Sequence, residues 1–214
     1  MGTGAGLAVV DTVTKSYGSR VVLAGCSMRV EAGDLVVVRG VNGAGKSTLL
    51  KIVAGLESPG DGGVSIGGKA PGTAVAKRLL TYIPDQPVLF DEMSVRENVV
   101  FSAQLFGMDD PGGEADRAIV EFGLDDHADL TPPALSRGLR QRAQLARALT
   151  RPWQIALIDE PFSGLDTAGR RTLIDRLRIE ADAGRAAVIA SHDEQAMECA
   201  TRVIEVVRGA LAER

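Results

Sequence analysis

Short apolar runs punctuate the chain at residues 7–10, 21–23, 35–38, 155–158, 186–190 and 203–207. The runs beginning at Leu35, Ile155 and Ala186 are apolar almost throughout, the pattern of parallel strands covered on both faces. Each is followed by a helix-like stretch, which predicts crossover helices and an α/β sheet. The earlier runs alternate more with polar residues and carry turn signals at Tyr17-Gly18-Ser19 and Glu31-Ala32-Gly33-Asp34. They predict antiparallel strands to one side of the main sheet.

Strand signals vanish between about residues 91 and 150. Ser94-Val95-Arg96-Glu97 has the form of a capping box and predicts a helix running towards Gly107. Asp109-Asp110-Pro111-Gly112-Gly113 predicts a break, a second helical stretch runs to about Phe122, and Pro132-Pro133 precedes a long helical pattern over 136–149. The expected organisation is one domain over 1–214: an α/β core from 1–90 and 151–214, with an antiparallel β subdomain and an inserted helical lobe at 91–150.

With 214 residues the chain can bury one substantial core. A formal net charge of −4 gives no basic field, so no nucleic-acid partner is expected. The start, MGTGAGLAVVD, shows no signal-peptide pattern, and no apolar run approaches the about 20 residues of a membrane span. Cys26 and Cys199 lack metal-ligand spacing and are expected as reduced, buried thiols. His127 lies among acidic residues and is expected to be solvated.

The chemistry concentrates where the apolar runs end. The run at Leu35 leads into Gly40-Val41-Asn42-Gly43-Ala44-Gly45-Lys46-Ser47-Thr48, a G-x-x-x-x-G-K-[ST] loop between a strand and a helix. Gly40, Gly43 and Gly45 let the backbone curl so that its N–H groups, including those of Asn42, Ala44 and Thr48, line an anion nest. The following helix adds the positive end of its dipole. Lys46 can reach β- and γ-phosphate oxygens, and the Ser47 hydroxyl can ligate Mg²⁺. The core is therefore expected to be of the P-loop NTPase kind.

The run at Ile155 ends in Asp159-Glu160. Carboxylates there face the crevice in which α/β sheets bind ligands, so Asp159 is a candidate Mg²⁺ ligand and Glu160 a candidate general base. Two solvated acids at a strand end are the plainer alternative.

These residues, with Leu135-Ser136-Arg137-Gly138-Leu139-Arg140-Gln141-Arg142, resemble the nucleotide-binding subunits of ABC transporters. The last segment is similar to that family's LSGGQ signature, Ser163-Gly164-Leu165-Asp166 to its D-loop, and Ala190-Ser191-His192-Asp193 to its switch histidine. The match runs in order from Tyr17 to His192. The resemblance implies that Tyr17 stacks on adenine, although a core tyrosine is the alternative. Ser136 and the Gly138 backbone would meet the γ-phosphate of ATP held by an opposite subunit. His192 would hold that phosphate and the attacking water, although a helix-capping histidine is the alternative.

The resemblance further implies ATP with Mg²⁺, a second nucleotide-binding subunit, homomeric or related, and ATP hydrolysis powering transport. Separate polytopic permease subunits would place the chain in the cytoplasm, peripheral on the inner face of the cell membrane. Arg137 and Leu139 stand where Gly and Gln are usual, which resembles the drug, polysaccharide and heme exporter subgroup. In Tyr82-Ile83-Pro84-Asp85-Gln86, Asp85 stands where a metal-region glutamine is usual and Gln86 one place later; either side chain could serve. Leu89, Phe90, Phe101, Leu105 and Phe106 would form either a permease-docking surface or the lobe's own core. ABC-type ATPases of DNA repair, chromosome structure or translation are the competing class, and a non-catalytic module that binds ATP only for assembly is the third.

Overall fold

The computed structural model of the chain describes residues 6–213. Met1 to Ala5, the start of the segment without a signal-peptide pattern, lie outside the described residues. The strands β1 (Ala8–Tyr17), β2 (Arg20–Val30) and β3 (Leu35–Arg39) precede helix α1 (Lys46–Val53). Then follow β4 (Asp61–Ile66), α2 (Ala74–Leu79), β5 (Leu80–Ile83), α3 (Val95–Leu105), α4 (Pro111–Glu121) and α5 (Arg137–Thr150). β6 (Ile155–Asp159), α6 (Thr167–Asp182), β7 (Ala186–Ala190), β8 (Arg202–Val207) and β9 (Ala210–Glu213) complete the chain.

The elements group into two compact units, one comprising the residues up to Tyr82, Trp153–Glu160 and those from Leu177 onward, the other Ile83–Pro152 with Pro161–Arg176. In the first, a six-stranded sheet has the order β5-β6-β7-β3-β8-β9. β3 pairs in parallel with β7 and β8, β6 pairs in parallel with β7, and β8 turns back antiparallel to β9. Every residue of β6 and β7 is buried. The two faces of a strand alternate, so a strand covered on both sides reads as one continuous apolar run.

A three-stranded antiparallel sheet, β2-β1-β4, belongs to the same unit. Val36, Val38, Ile155, Leu157 and Val188 from the large sheet share one core with Val10, Val13 and Leu23 from the small one and with Leu49, Leu50 and Ile52 of α1. Burial of each such side chain contributes about 1.5–3 kcal/mol before chain entropy is counted. Cys26 and Cys199 are both free and buried, and burial pushes both thiols above their ordinary range.

In the second unit α3, α4 and α5 pack against one another. The capping box at Ser94 forms in full: its hydroxyl accepts from Glu97 N and the Glu97 carboxylate accepts from Ser94 N. The expected break at 109–113 is shorter than its composition predicts. Asp110 caps α4 through Gly113 N, and Pro111, Gly112 and Gly113 form its first turn, where proline's missing N–H costs nothing.

Three further differences have physical causes. β4 (DGGVSI) and β5 (LTYI) give no strand signal, because paired glycines and a four-residue length carry little propensity and the neighbouring strand decides. The stretch after β7 makes only a 3₁₀ turn, Glu194–Glu198, before β8 begins. His127 is not solvated: it is half-buried, and its Nδ1 is buried without a hydrogen-bond partner.

Candidate functional site

The site lies where β3, β6 and β7 end. β3 runs into the loop at Gly40, and α1 begins at Lys46 with Gly45 as its N-cap. No side chain caps this helix, so its leading N–H groups stay available to an anion. Gly45 sits at φ +109°, and a Cβ there would stand 2.9 Å from Leu23 Cδ2 and 3.0 Å from Val22 O. The loop thus packs its backbone directly on β2, a close approach that only glycine permits.

Lys46 is 6% exposed, yet it is a cation. Its Nζ donates to Gly40 O at 2.8 Å and lies 3.5 Å from Glu160 Oε1. Those two oxygens offset the cost of burying its charge. Arg20, on β2, donates from Nη2 to Gly43 O at 3.2 Å and braces the loop from outside.

Asp159 is the last residue of β6, opposite Ala190 of β7, and is 4% exposed. Glu160 follows at φ +46°, a left-handed conformation unusual for a residue with a Cβ. Its N–H donates to Ala190 O at 2.8 Å, which holds the turn. The turned backbone brings Glu160 Oε2 to 2.9 Å from His192 Nδ1. Ser191, fully buried, donates from Oγ to the same carboxylate oxygen at 3.4 Å and accepts from Asp193 N at 3.1 Å. Lys46, Glu160, Ser191 and His192 therefore converge from three separate parts of the sequence.

The donor set fits a magnesium-bound triphosphate. Uncapped amides and a buried ammonium suit phosphate oxygens, and a hydroxyl at Ser47 with a carboxylate at Asp159 are hard oxygen donors of the kind Mg²⁺ takes.

Tyr17 closes β1 and is 49% exposed, so it is not a core tyrosine. Its hydroxyl donates to Glu57, and this bond, with burial second, raises the phenol above its ordinary pKa while a bond to Thr48 lowers it. Lys15 lies 5.4 Å from the ring centroid and 3.1 Å from the Glu57 carboxylate. The ring is thereby tied to residues at both ends of α1.

In the second unit, Ser136 caps α5 by accepting from Leu139 N at 3.3 Å. A Cβ on Gly138 would stand 2.6 Å from Gly164 O. Gln144 clamps the loop that carries Asp85 and Gln86: it donates to Pro84 O at 2.8 Å and accepts from Val88 N at 2.7 Å. Gln86 is exposed and Asp85 half-buried. Phe90, Phe101 and Leu105 are exposed, with Phe90 and Phe101 edge to face at 5.3 Å, so they form surface and not lobe core.

Arg20 and Glu57 carry no motif signal. Glu57 meets Tyr17, and Arg20 meets Gly43, through contacts between residues distant in sequence. Ser191 stands inside a recognisable segment, but only its burial against Glu160 reveals its part.

A family model described as "ABC transporter" matches residues 23–163. The chain is 35% identical over 207 residues to the sulfate/thiosulfate import ATP-binding protein CysA of Thermosynechococcus vestitus, covering 94% of this chain and 61% of that protein. It is 32% identical over 205 residues to the SkfA peptide export ATP-binding protein SkfE of Bacillus subtilis, covering 94% of this chain and 86% of that one. A solved structure described as the ATP binding subunit of an ABC transporter superposes with a TM-score of 0.89 at 28% identity, over 97% of this chain and 89% of that one. The chain spans 55–65% of the length of seven of the curated relatives it matches.

Proposed function

The chain belongs to the ABC transporter family, and from that premise we propose that it is the ATP-binding and ATP-hydrolysing subunit of a membrane transporter. The observation that carries this reading is the convergence of a buried Lys46, Glu160 and His192 at the ends of parallel strands. Lys46 and the loop amides bind and orient the phosphates. Glu160 accepts a proton from the attacking water at its carboxylate, and His192 orients that carboxylate and the water. Ser47 and Asp159 would hold Mg²⁺, which would supply neutralisation of phosphate charge.

Ser136 and Gly138, at the start of α5, serve a nucleotide carried by a second copy or a related subunit. Binding then clamps two subunits, and hydrolysis releases them. The exposed apolar group at Val88, Phe90, Phe101 and Leu105 is the docking surface for a polytopic permease, which makes the chain a peripheral protein of the cytoplasmic membrane face. Among the described residues, no helix is long and apolar enough to cross a membrane. Relatives named for import and for export both match. The export expectation drawn from Arg137 and Leu139 therefore has no support from them, and the proposal extends to transport without a direction.

The test is Glu160→Gln. It should lower ATP turnover by about 10²-fold or more while leaving ATP-dependent dimerisation intact. Wild-type turnover in this variant would remove Glu160 from the role of base. Recovery of ribosomes or DNA with the purified chain, in place of a polytopic membrane protein, would favour an ABC ATPase outside transport.

A further inference from the structure

Arg137 stands where the signature usually has glycine, and its side chain reaches the loop that leads out of Glu160. Its Nη2 donates to Ser163 Oγ at 2.7 Å. The aliphatic part of the same side chain lies over Gly164, where a built Cβ would be 3.5 Å from Arg137 Cγ. One residue on, the Gly138 backbone already touches Gly164 O closely enough to exclude any side chain. Gln141, buried, donates to Pro161 O at 3.2 Å, and Arg142 pairs with Asp166. Positions 137, 138, 141 and 142 form one face of α5, and that face holds the loop 161–166 from end to end.

Gly138, Gln141 and Arg142 account for the packing of this loop. Arg137 adds something different: an exposed, charged donor spent on a neutral hydroxyl, in a helical turn without an acidic residue. We propose that Arg137 is a positioning residue, a latch that fixes the signature turn against Ser163. The half-site offered to a facing subunit and the loop leaving Glu160 are thereby set as one piece. The inference rests on the ATPase reading above.

The test is a double-mutant cycle on the full chain, read as kcat and KM for ATP with Mg²⁺. Arg137→Ala should lower kcat about three- to tenfold, with KM changed by less than about twofold, as expected for the loss of one charge-assisted bond at a partly exposed site. Ser163→Ala should give the same loss, the double variant no further loss, and Arg137→Lys should restore most of the rate. Additive losses, or a raised KM with unchanged kcat in Arg137→Ala alone, would overturn the latch, the second by assigning Arg137 to direct nucleotide contact. An active wild type with an unaltered Arg137→Ala overturns this proposal alone. A wild type without turnover overturns the ATPase reading and the latch with it.

Discussion

His192 Nδ1 lies 2.9 Å from Glu160 Oε2, although the two residues sit on different strand ends and the imidazole is 65% exposed. A histidine that merely capped the next turn would have no reason to face a carboxylate; here Asp193 supplies that cap, by accepting from Gln195 N. The pairing leaves His192 free to act on a ligand without contributing much to the fold. His192→Ala should therefore cut ATP turnover by about 10²-fold while changing unfolding free energy by no more than about 0.5 kcal/mol. Steady-state phosphate release and urea unfolding check the two halves. A large loss of stability would make the histidine structural.

Glu160 holds a left-handed backbone at φ +46°, a conformation that costs a residue with a Cβ about 1–2 kcal/mol relative to glycine. Both Glu160→Ala and Glu160→Gly remove the carboxylate beside Lys46, so comparing them isolates the backbone. Glu160→Gly should be more stable than Glu160→Ala by about 1 kcal/mol, and both should be inactive. Equal melting temperatures would show that the turn is not strained.

Gly45 and Gly43 both take positive φ, but their surroundings differ. A Cβ at Gly45 meets Leu23 Cδ2 at 2.9 Å and backbone at Val22, whereas at Gly43 the nearest atom is the flexible Arg20 Nη2 at 3.4 Å. Gly45→Ala should cost about 1–3 kcal/mol of stability and at least about tenfold in ATP affinity, with Gly43→Ala milder in both. Nucleotide titration with thermal unfolding orders the two variants, and the reverse order would refute the packing account.

Asp166 is held below the usual carboxylate range, first by the Gly169 N–H and then by Arg142. Because its folded pKa is depressed, the stability it contributes is fully present above its ordinary value and is lost as pH falls through the lowered one. Wild type should exceed Asp166→Asn by a constant margin from pH 8 to about pH 5, and the margin should vanish only as pH falls through the lowered pKa. The side chain is 66% exposed, so the margin should stay under about 1 kcal/mol. A margin that grows with acidification would contradict the assignment.

Much of the fold was legible because its central strands are buried on both faces. β3, β6 and β7 appear as unbroken apolar runs, and the helices of the second unit announce themselves through a capping box and a helical pattern, although the proline that starts α4 reads as a break. The positions of the glycine-rich loop after β3 and of the acids at the end of β6 were legible for a related reason, since each motif is contained in contiguous residues. β4, β5 and β9 were not, because short or glycine-rich strands take their conformation from a neighbour.

The sequence by itself determined the layered α/β plan and the anion-binding loop. Both follow from local patterning, which survives in one dimension. Only the tertiary structure decided that Glu160 would turn back to meet His192 and Lys46, that Ser191 would bury against it, and that Arg137 would fasten Ser163. Those arrangements depend on strand register, a left-handed turn and helix facing, each fixed by contacts between residues far apart in the chain.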